Sequence, residues 1–463
     1  MKIILNDTIT ALATPHGSGA IAVIRLSGKK SFAIIDQVFF DKEFKSKKIA
    51  EQKGYTIHFG IIAEGDIVID EVLVSVFTNP HSYTGEDSIE ISCHGSVYIQ
   101  QQILQLLLKH GARMANPGEF TLRAFLNGKF DLSQAEAVAD LIASNSGLSH
   151  QVAMQQMRGG FSNKIKILRD HLVNFASLVE LELDFSEEDV EFADRTDLKK
   201  LVHSIIGIIE KLVMSFEVGN VIKNGIPVAI VGKPNAGKST LLNVLLEDDR
   251  AIVSDIPGTT RDTIEDEMII DGVLFRFIDT AGIRTTTDVI EQIGVNKAFD
   301  AIKKSAIVIY LFDAHEISSG DLKLEIDLIK EHIGNSQLVI VANKIDVENL
   351  EDLKREFASY EVIYISAKEH KNITELKQKL VGLFDARTVN TTETIVTNAR
   401  HVDSLKRANE ALKKVIGGLD SGIAGDLLAV EIRYALDELG SITGEVTNED
   451  LLDSIFTRFC IGK

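Results

Sequence analysis

The stretch PVAIVGKPNAGKSTLLNVLL, residues 227–246, decides the fold. It runs from a short apolar segment, VAIV, through a glycine turn into STLLNVLL, which reads as a helix. The turn, Gly232 to Ser239, fits G-x-x-x-x-G-K-[ST], with the strand before it and the helix after it that the motif requires. Glycines let the backbone wrap phosphate groups, and the amides point inward at a helix N-terminus, where anions are favoured. Asn235, Ala236, Gly237 and Thr240 belong to that loop and its helix start. Lys238 is placed to reach the β- and γ-phosphates, and Ser239 to ligand Mg²⁺.

Three further short motifs each close a strand downstream. LFRFI ends in Asp279-Thr280-Ala281-Gly282, where an Asp can hold Mg²⁺ through water and the Gly282 amide can meet a γ-phosphate. LVIVA ends in Asn343-Lys344-Ile345-Asp346. A carboxylate at Asp346 accepts hydrogen bonds from guanine N1–H and the 2-amino group. Adenine offers neither, so a buried carboxylate would be left unpaired. Lys344 lies over the base, and Ser366-Ala367-Lys368, after the strand VIYI, closes on the guanine O6. Each motif is weak alone. Four in this order, at the carboxyl ends of strands where such sheets bind ligands, predict a guanine-nucleotide site.

Between the first two lies a polar, turn-rich loop, Ser254 to Asp262, in which Thr259 or Thr260 can complete the Mg²⁺ shell. After Gly282 comes Ile283, where Ras-like GTPases place a glutamine to orient water. Ile cannot do this. The candidates left are Arg284, Glu291 and a bound cation. Asn235 can offer a ligand to a monovalent cation standing where an arginine finger otherwise stands.

Residues 1–119 mix short β-like runs (GAIAVIRLSG, EVLVSVFTNP, DSIEISCHG) with one helical stretch, VYIQQQILQLLLKHGA, and read as an α/β domain. Residues 120–220 recur at helical spacing, as in Leu168, Leu172, Phe175, Ala176 and Val179, with a break at Gly159-Gly160. Residues 221–386 alternate strands and helices, which predicts a parallel sheet covered on both faces. Residues 387–463 turn helical again. The fold class is therefore multidomain α/β plus α: an N-terminal α/β domain, then a helical domain interrupted by a Ras-like P-loop GTPase domain.

A chain of 463 residues is too long for one core. Two cysteines make no disulfide framework and point to a reducing compartment. The N-terminus lacks a signal-peptide pattern, and no run approaches the ~20 apolar residues of a membrane span. A cytoplasmic protein with no membrane partner is expected. The net charge of −19 argues against a broad nucleic-acid surface, leaving room only for local basic patches. Twelve histidines show no metal-ligand spacing.

Taken with IAVIRLSG, PHSYTGEDSIEISCHG, NPGEFTLRAFLNGKFDLSQAEAVADLI, DIPGTTRD and the terminal FCIGK, the order of parts resembles the MnmE (TrmE) family of tRNA-modification GTPases over the whole chain. The resemblance implies an N-terminal domain that binds a folate, 5-formyltetrahydrofolate or a related tetrahydrofolate, and forms a homodimer. It implies hydrolysis activated by K⁺, and a heterotetramer with an FAD-carrying MnmG-type partner. Together they would add an aminomethyl or carboxymethylaminomethyl group to C5 of the tRNA wobble uridine. Carried over by position, K⁺ ligands are Asn235, Ser254, Ile256 (backbone) and Thr259; Mg²⁺ ligands are Ser239 and Thr260; Glu291 orients water; Arg25, Glu90, Lys129 and Lys463 form the folate site.

Cys460, three residues from the end, admits two readings. Either it packs while Lys463 caps a helix dipole, or a thiol made nucleophilic by a nearby ammonium is delivered to a site. The family motif favours the second and makes Cys460 a catalytic candidate. Cys93 is expected in a core. A regulatory or ribosome-assembly GTPase switch is the competing reading, since the GTPase motifs serve it equally well.

Overall fold

The computed structural model describes residues 7–45, 47–184, 195–247, 266–278, 299–346, 350–383, 394–421, 425–457 and 459–462. The chain divides into two compact units. One comprises residues 1–142, 154–210 and 403–463; the other comprises 143–153 and 211–402.

The first unit holds a seven-stranded sheet, order β3-β4-β5-β6-β2-β1-β7. Its strands are β1 (Ile9–Leu12), β2 (Ile21–Ser27), β3 (Phe39–Phe40), β4 (Thr56–Glu64), β5 (Ile67–Phe77), β6 (Ser88–His94) and β7 (Arg113–Met114). Pairing is antiparallel except between β1 and β7. Alternation along the strands sends Ala22, Ile24, Leu26, Val72, Val74, Val76, Ile89, Ile91 and Cys93 to one face. There they pack on Ile103, Leu106 and Leu107 of the helix Val97–Lys109. Each fully buried aliphatic side chain of this kind contributes about 1.5–3 kcal/mol. The opposite phase puts Arg25 and Glu90 beside each other as cross-strand partners.

Long helices complete this unit. The helix Gly425–Thr443 lies along Gly160–Asp184. The positions expected from helical spacing, Leu168, Leu172, Phe175, Ala176 and Val179, are all buried, as are Ile432, Ala435, Leu439 and Ile442. Ser404 and Ser441 pair through their hydroxyls at 3.1 Å, and Arg407 Nε meets Glu438 at 2.8 Å.

The second unit is built on six strands, order β13-β12-β11-β8-β10-β9. They are β8 (Ile226–Val231), β9 (Asp266–Ile270), β10 (Val273–Phe277), β11 (Ile307–Asp313), β12 (Gln337–Asn343) and β13 (Val362–Tyr364). Only the β9–β10 pair is antiparallel. Both faces are covered. Val228, Ile230, Ile309 and Leu311 pack on Leu241, Leu242, Leu376 and Leu380. Ala229, Val231, Val308, Tyr310 and Phe312 pack on Leu322, Ile326, Leu353 and Phe357. That two-sided burial explains why these strands read as unbroken apolar runs. The helix Ser319–Lys330 starts at a side-chain cap, Ser318 Oγ accepting from the Asp321 amide at 3.2 Å.

Candidate functional site

The phosphate loop lies between β8 and the helix Lys238–Glu247, with Ser239 and Thr240 in that helix's first turn. Asn235 takes a left-handed backbone, φ +63°. Gly237 sits so close to Asn343 Nδ2 that a Cβ there would collide with it. Lys238 Nζ curls over the loop, donating to the carbonyl oxygens of Gly232 (2.7 Å) and Lys233 (2.8 Å). Burial lowers the pKa of this ammonium from its ordinary value.

Asn343, at the carboxyl end of β12, is 3% exposed. Its Nδ2 donates to the Ala236 carbonyl at 2.8 Å and its Oδ1 accepts from the Ala367 amide at 3.0 Å. The strand end thereby holds the phosphate loop and the 366–368 turn together. Asp346 Oδ1 accepts from Ser366 Oγ at 2.6 Å, and that bond leads the causes holding its carboxyl below the ordinary value. Lys368 follows, exposed, in the same turn. The structure brings together Asn235 to Thr240, Asn343 to Asp346 and Ser366 to Lys368. The expected residues Ser254, Ile256, Thr259, Thr260, Asp279, Thr280, Ala281, Gly282, Arg284, Glu291 and Lys463 lie outside the described residues.

In the first unit, Arg25 donates to Glu90 Oε1 from Nε (3.0 Å) and Nη2 (2.8 Å). The guanidinium also lies 5.0 Å from the Tyr83 ring centroid and 5.5 Å from that of Phe120. Lys129 Nζ donates to the Pro80 carbonyl at 3.1 Å. The helix Glu449–Phe456 carries the tail, and Leu452, Ile455, Phe456 and Phe459 pack on Leu122, Leu132 and Ala135. Beyond them the Gly118 amide donates to the Cys460 carbonyl at 3.4 Å, and Cys460 itself is exposed. Cys93 is the core thiol expected: burial, then the neighbouring Asp70, push its pKa up to about 11.

Comparison with known proteins agrees across the whole length. The family description "GTP-binding protein TrmE N-terminus" matches residues 8–129, and "MnmE helical domain" matches 132–460. The tRNA modification GTPase MnmE of Flavobacterium johnsoniae is 56% identical over 468 residues, covering all of both chains. The chain belongs to the MnmE family of tRNA modification GTPases. The MnmE of Bacteroides fragilis is 54% identical, covering 99% of this chain and all of its own. A solved structure of Era with MgGDPNP and a 16S ribosomal RNA segment is 25% identical, covering 40% of this chain and 66% of that one, at a TM-score of 0.27.

Two side-chain clusters, one in each unit, escape sequence reading. Asp313, at the carboxyl end of β11, is buried and holds Lys344 Nζ at 2.6 Å. Lys344 is left-handed, φ +69°, and its carbonyl pairs with His315 Nε2 at 2.9 Å. Lys344, the expected base-covering lysine, is thus fixed at both ends by DAH, residues 313–315. The available signal was a carboxylate closing a wholly apolar strand, which a sequence reader takes as solvated. The second is Arg123, 1% exposed, ion-paired with Asp7, Glu86 and Glu119. Its four charges are spread over 117 positions, and no local pattern joins them.

Proposed function

We propose that this chain hydrolyses GTP to drive modification of the tRNA wobble uridine at C5. The observation that carries the reading is the joining of phosphate loop, base-reading strand end and closing turn through one side chain, Asn343. The relatives that match end to end bear the name tRNA modification GTPase.

At the nucleotide site, the loop amides and Lys238 take the phosphates, and Asp346 reads the guanine edge. Ser239, in the first turn of its helix, suits a hydroxyl ligand to Mg²⁺, with Thr260 as the second. The left-handed Asn235 turns the loop backbone where a K⁺ ion would be shared with Ser254, Ile256 and Thr259. Bound there, K⁺ supplies positive charge at the bridging and γ-phosphate oxygens. Glu291 and Arg284 are the protein's own candidates for placing water.

The first-unit site takes the tetrahydrofolate. Support for this is a guanidinium and a carboxylate side by side on a sheet face, against two aromatic rings; Lys129 and Lys463 are proposed as further cations of the site. Cys460, exposed at the end of a docked helix, is the reactive thiol. We further propose the four-part organisation 1–119, 120–220, 221–386 and 387–463, a homodimer, an FAD-carrying MnmG-type partner and a cytoplasmic location. Among the described residues no helix is long and apolar enough to cross a membrane.

The test is mass spectrometry of tRNA nucleosides from cells lacking this gene, then complemented with wild type or Cys460→Ser. Loss of C5-modified wobble uridines that only wild type restores is the expected result. Modifications that never disappear would hand the protein to the regulatory-switch reading.

A further inference from the structure

Residues 460–462 are seated mainly through their backbone. Cys460 is exposed and Ile461 is 46% exposed, yet Gly462 is buried. What holds this segment is its backbone. Gly462 has φ +98°, and an L-side-chain Cβ there would fall on the Leu12 carbonyl oxygen, with Leu12 C at 3.1 Å and Ala13 Cα at 3.3 Å behind it. On the other side of the cysteine, Gly118 has φ +68°, and a Cβ there would stand 2.6 Å from the Phe456 carbonyl oxygen and 3.1 Å from the Cβ atoms of Phe456 and Phe459. The Gly118 amide also donates to the Cys460 carbonyl.

We infer that Gly118 and Gly462 are positioning residues: together they form a side-chain-free seat that fixes where Cys460 stands. Real Cβ atoms essentially never approach other atoms as closely as these sites would demand, and both backbones lie where L-residues are strained. Neither side of the seat shifts cheaply, since Phe456 and Phe459 are themselves packed on Leu122 and Leu132. Leu12 is the last residue of β1, paired with Ile24, and its neighbour Ala11 pairs with Arg25. Gly118 is followed by Glu119, which both Arg113 (2.6 Å) and Arg123 (3.0 Å) clamp. The seat therefore joins the tail to β1, the neighbour of the strand that carries Arg25. A group misplaced by about 1 Å can lose on the order of 100-fold in rate. The inference rests on the reading of Cys460 as the reactive thiol in tRNA modification.

Handedness supplies the test. Residues 1–459 as a thioester can be ligated at the native Cys460 to Cys-Ile-Xaa-Lys, giving the full chain with Gly, L-Ala or D-Ala at position 462. A D-residue favours positive φ, and its Cβ points away from the site that collides with Leu12. L-Ala should cut wobble-uridine modification about 100-fold and speed amide exchange of the peptide containing Gly118. D-Ala should stay within a few-fold of glycine on both measures. L-Ala behaving as glycine would overturn the inference, and so would equal losses with both stereoisomers. A thermal melt of each chain separates displacement of the tail from misfolding. Cys460→Ser is run beside them. If serine keeps the modification, the reading of the thiol fails, while amide exchange at Gly118 still judges the seat.

Discussion

Asn343 Nδ2 and the Ala236 carbonyl oxygen meet at 2.8 Å, binding the end of β12 to the glycine-rich loop after β8. The same side chain takes the Ala367 amide, so one buried amide links the glycine-rich loop, the end of β12 and the 366–368 turn, the parts of the proposed nucleotide site.

Asn343→Ala leaves two buried backbone groups without that partner. Each such loss costs about 1–3 kcal/mol. Guanine-nucleotide affinity should fall by roughly 10–100-fold, with a lower melting temperature, by titration and scanning calorimetry. Wild-type affinity in the variant would refute the bridging role.

Asp346→Asn replaces a two-bond acceptor with a group that also donates. GTP binding should weaken by about 10–100-fold, the value of hydrogen bonds to a charged group, and xanthosine triphosphate should gain. Unchanged selectivity would count against the base-site assignment.

GTP hydrolysis should run at least about tenfold faster in K⁺ than in Na⁺, a small share of what an arginine finger supplies. The reason is Ile283, which follows DTAG and cannot orient water. Equal rates in the two salts would end the cation reading.

Alkylation of the native protein should label Cys460 and spare Cys93. The Cys93 thiol, buried and donating to the Ala22 carbonyl at 3.5 Å, has its pKa raised to about 11. At pH 8 only about one part in a thousand is thiolate. Peptide mass spectrometry decides; fast labelling of Cys93 would mean that the sheet core opens readily.

Acid should weaken the first unit. Burial works against ionised Asp7 and Glu119, but hydrogen bonds from Arg113 and Arg123 outweigh it, and both carboxyls lie below their ordinary values of 3.8 and 4.5. Carboxyls with depressed folded pKa values stabilise fully above those ordinary values, and the benefit fades as pH falls through the folded ones. Arg123→Met should therefore cost about 3–5 kcal/mol near pH 7 and less below pH 4, measured by urea melts. A penalty independent of pH would show that Arg123 contributes packing alone.

What the residues declare by themselves is whatever depends on near neighbours in the chain. The glycine turn between a strand and a helix, the apolar runs of a two-faced sheet and the helical spacing around Leu172 are local requirements, and the fold class and nucleotide loop follow from them. The Arg25–Glu90 pair spans 65 positions and depends on the register of β2 on β6. Asp313 beneath Lys344, the carboxylates around Arg123 and the glycine seat under the tail likewise join segments far apart in the chain. Only tertiary structure decides these, because burial converts a charge or a missing side chain from an ordinary surface feature into a constraint that its distant neighbours must satisfy.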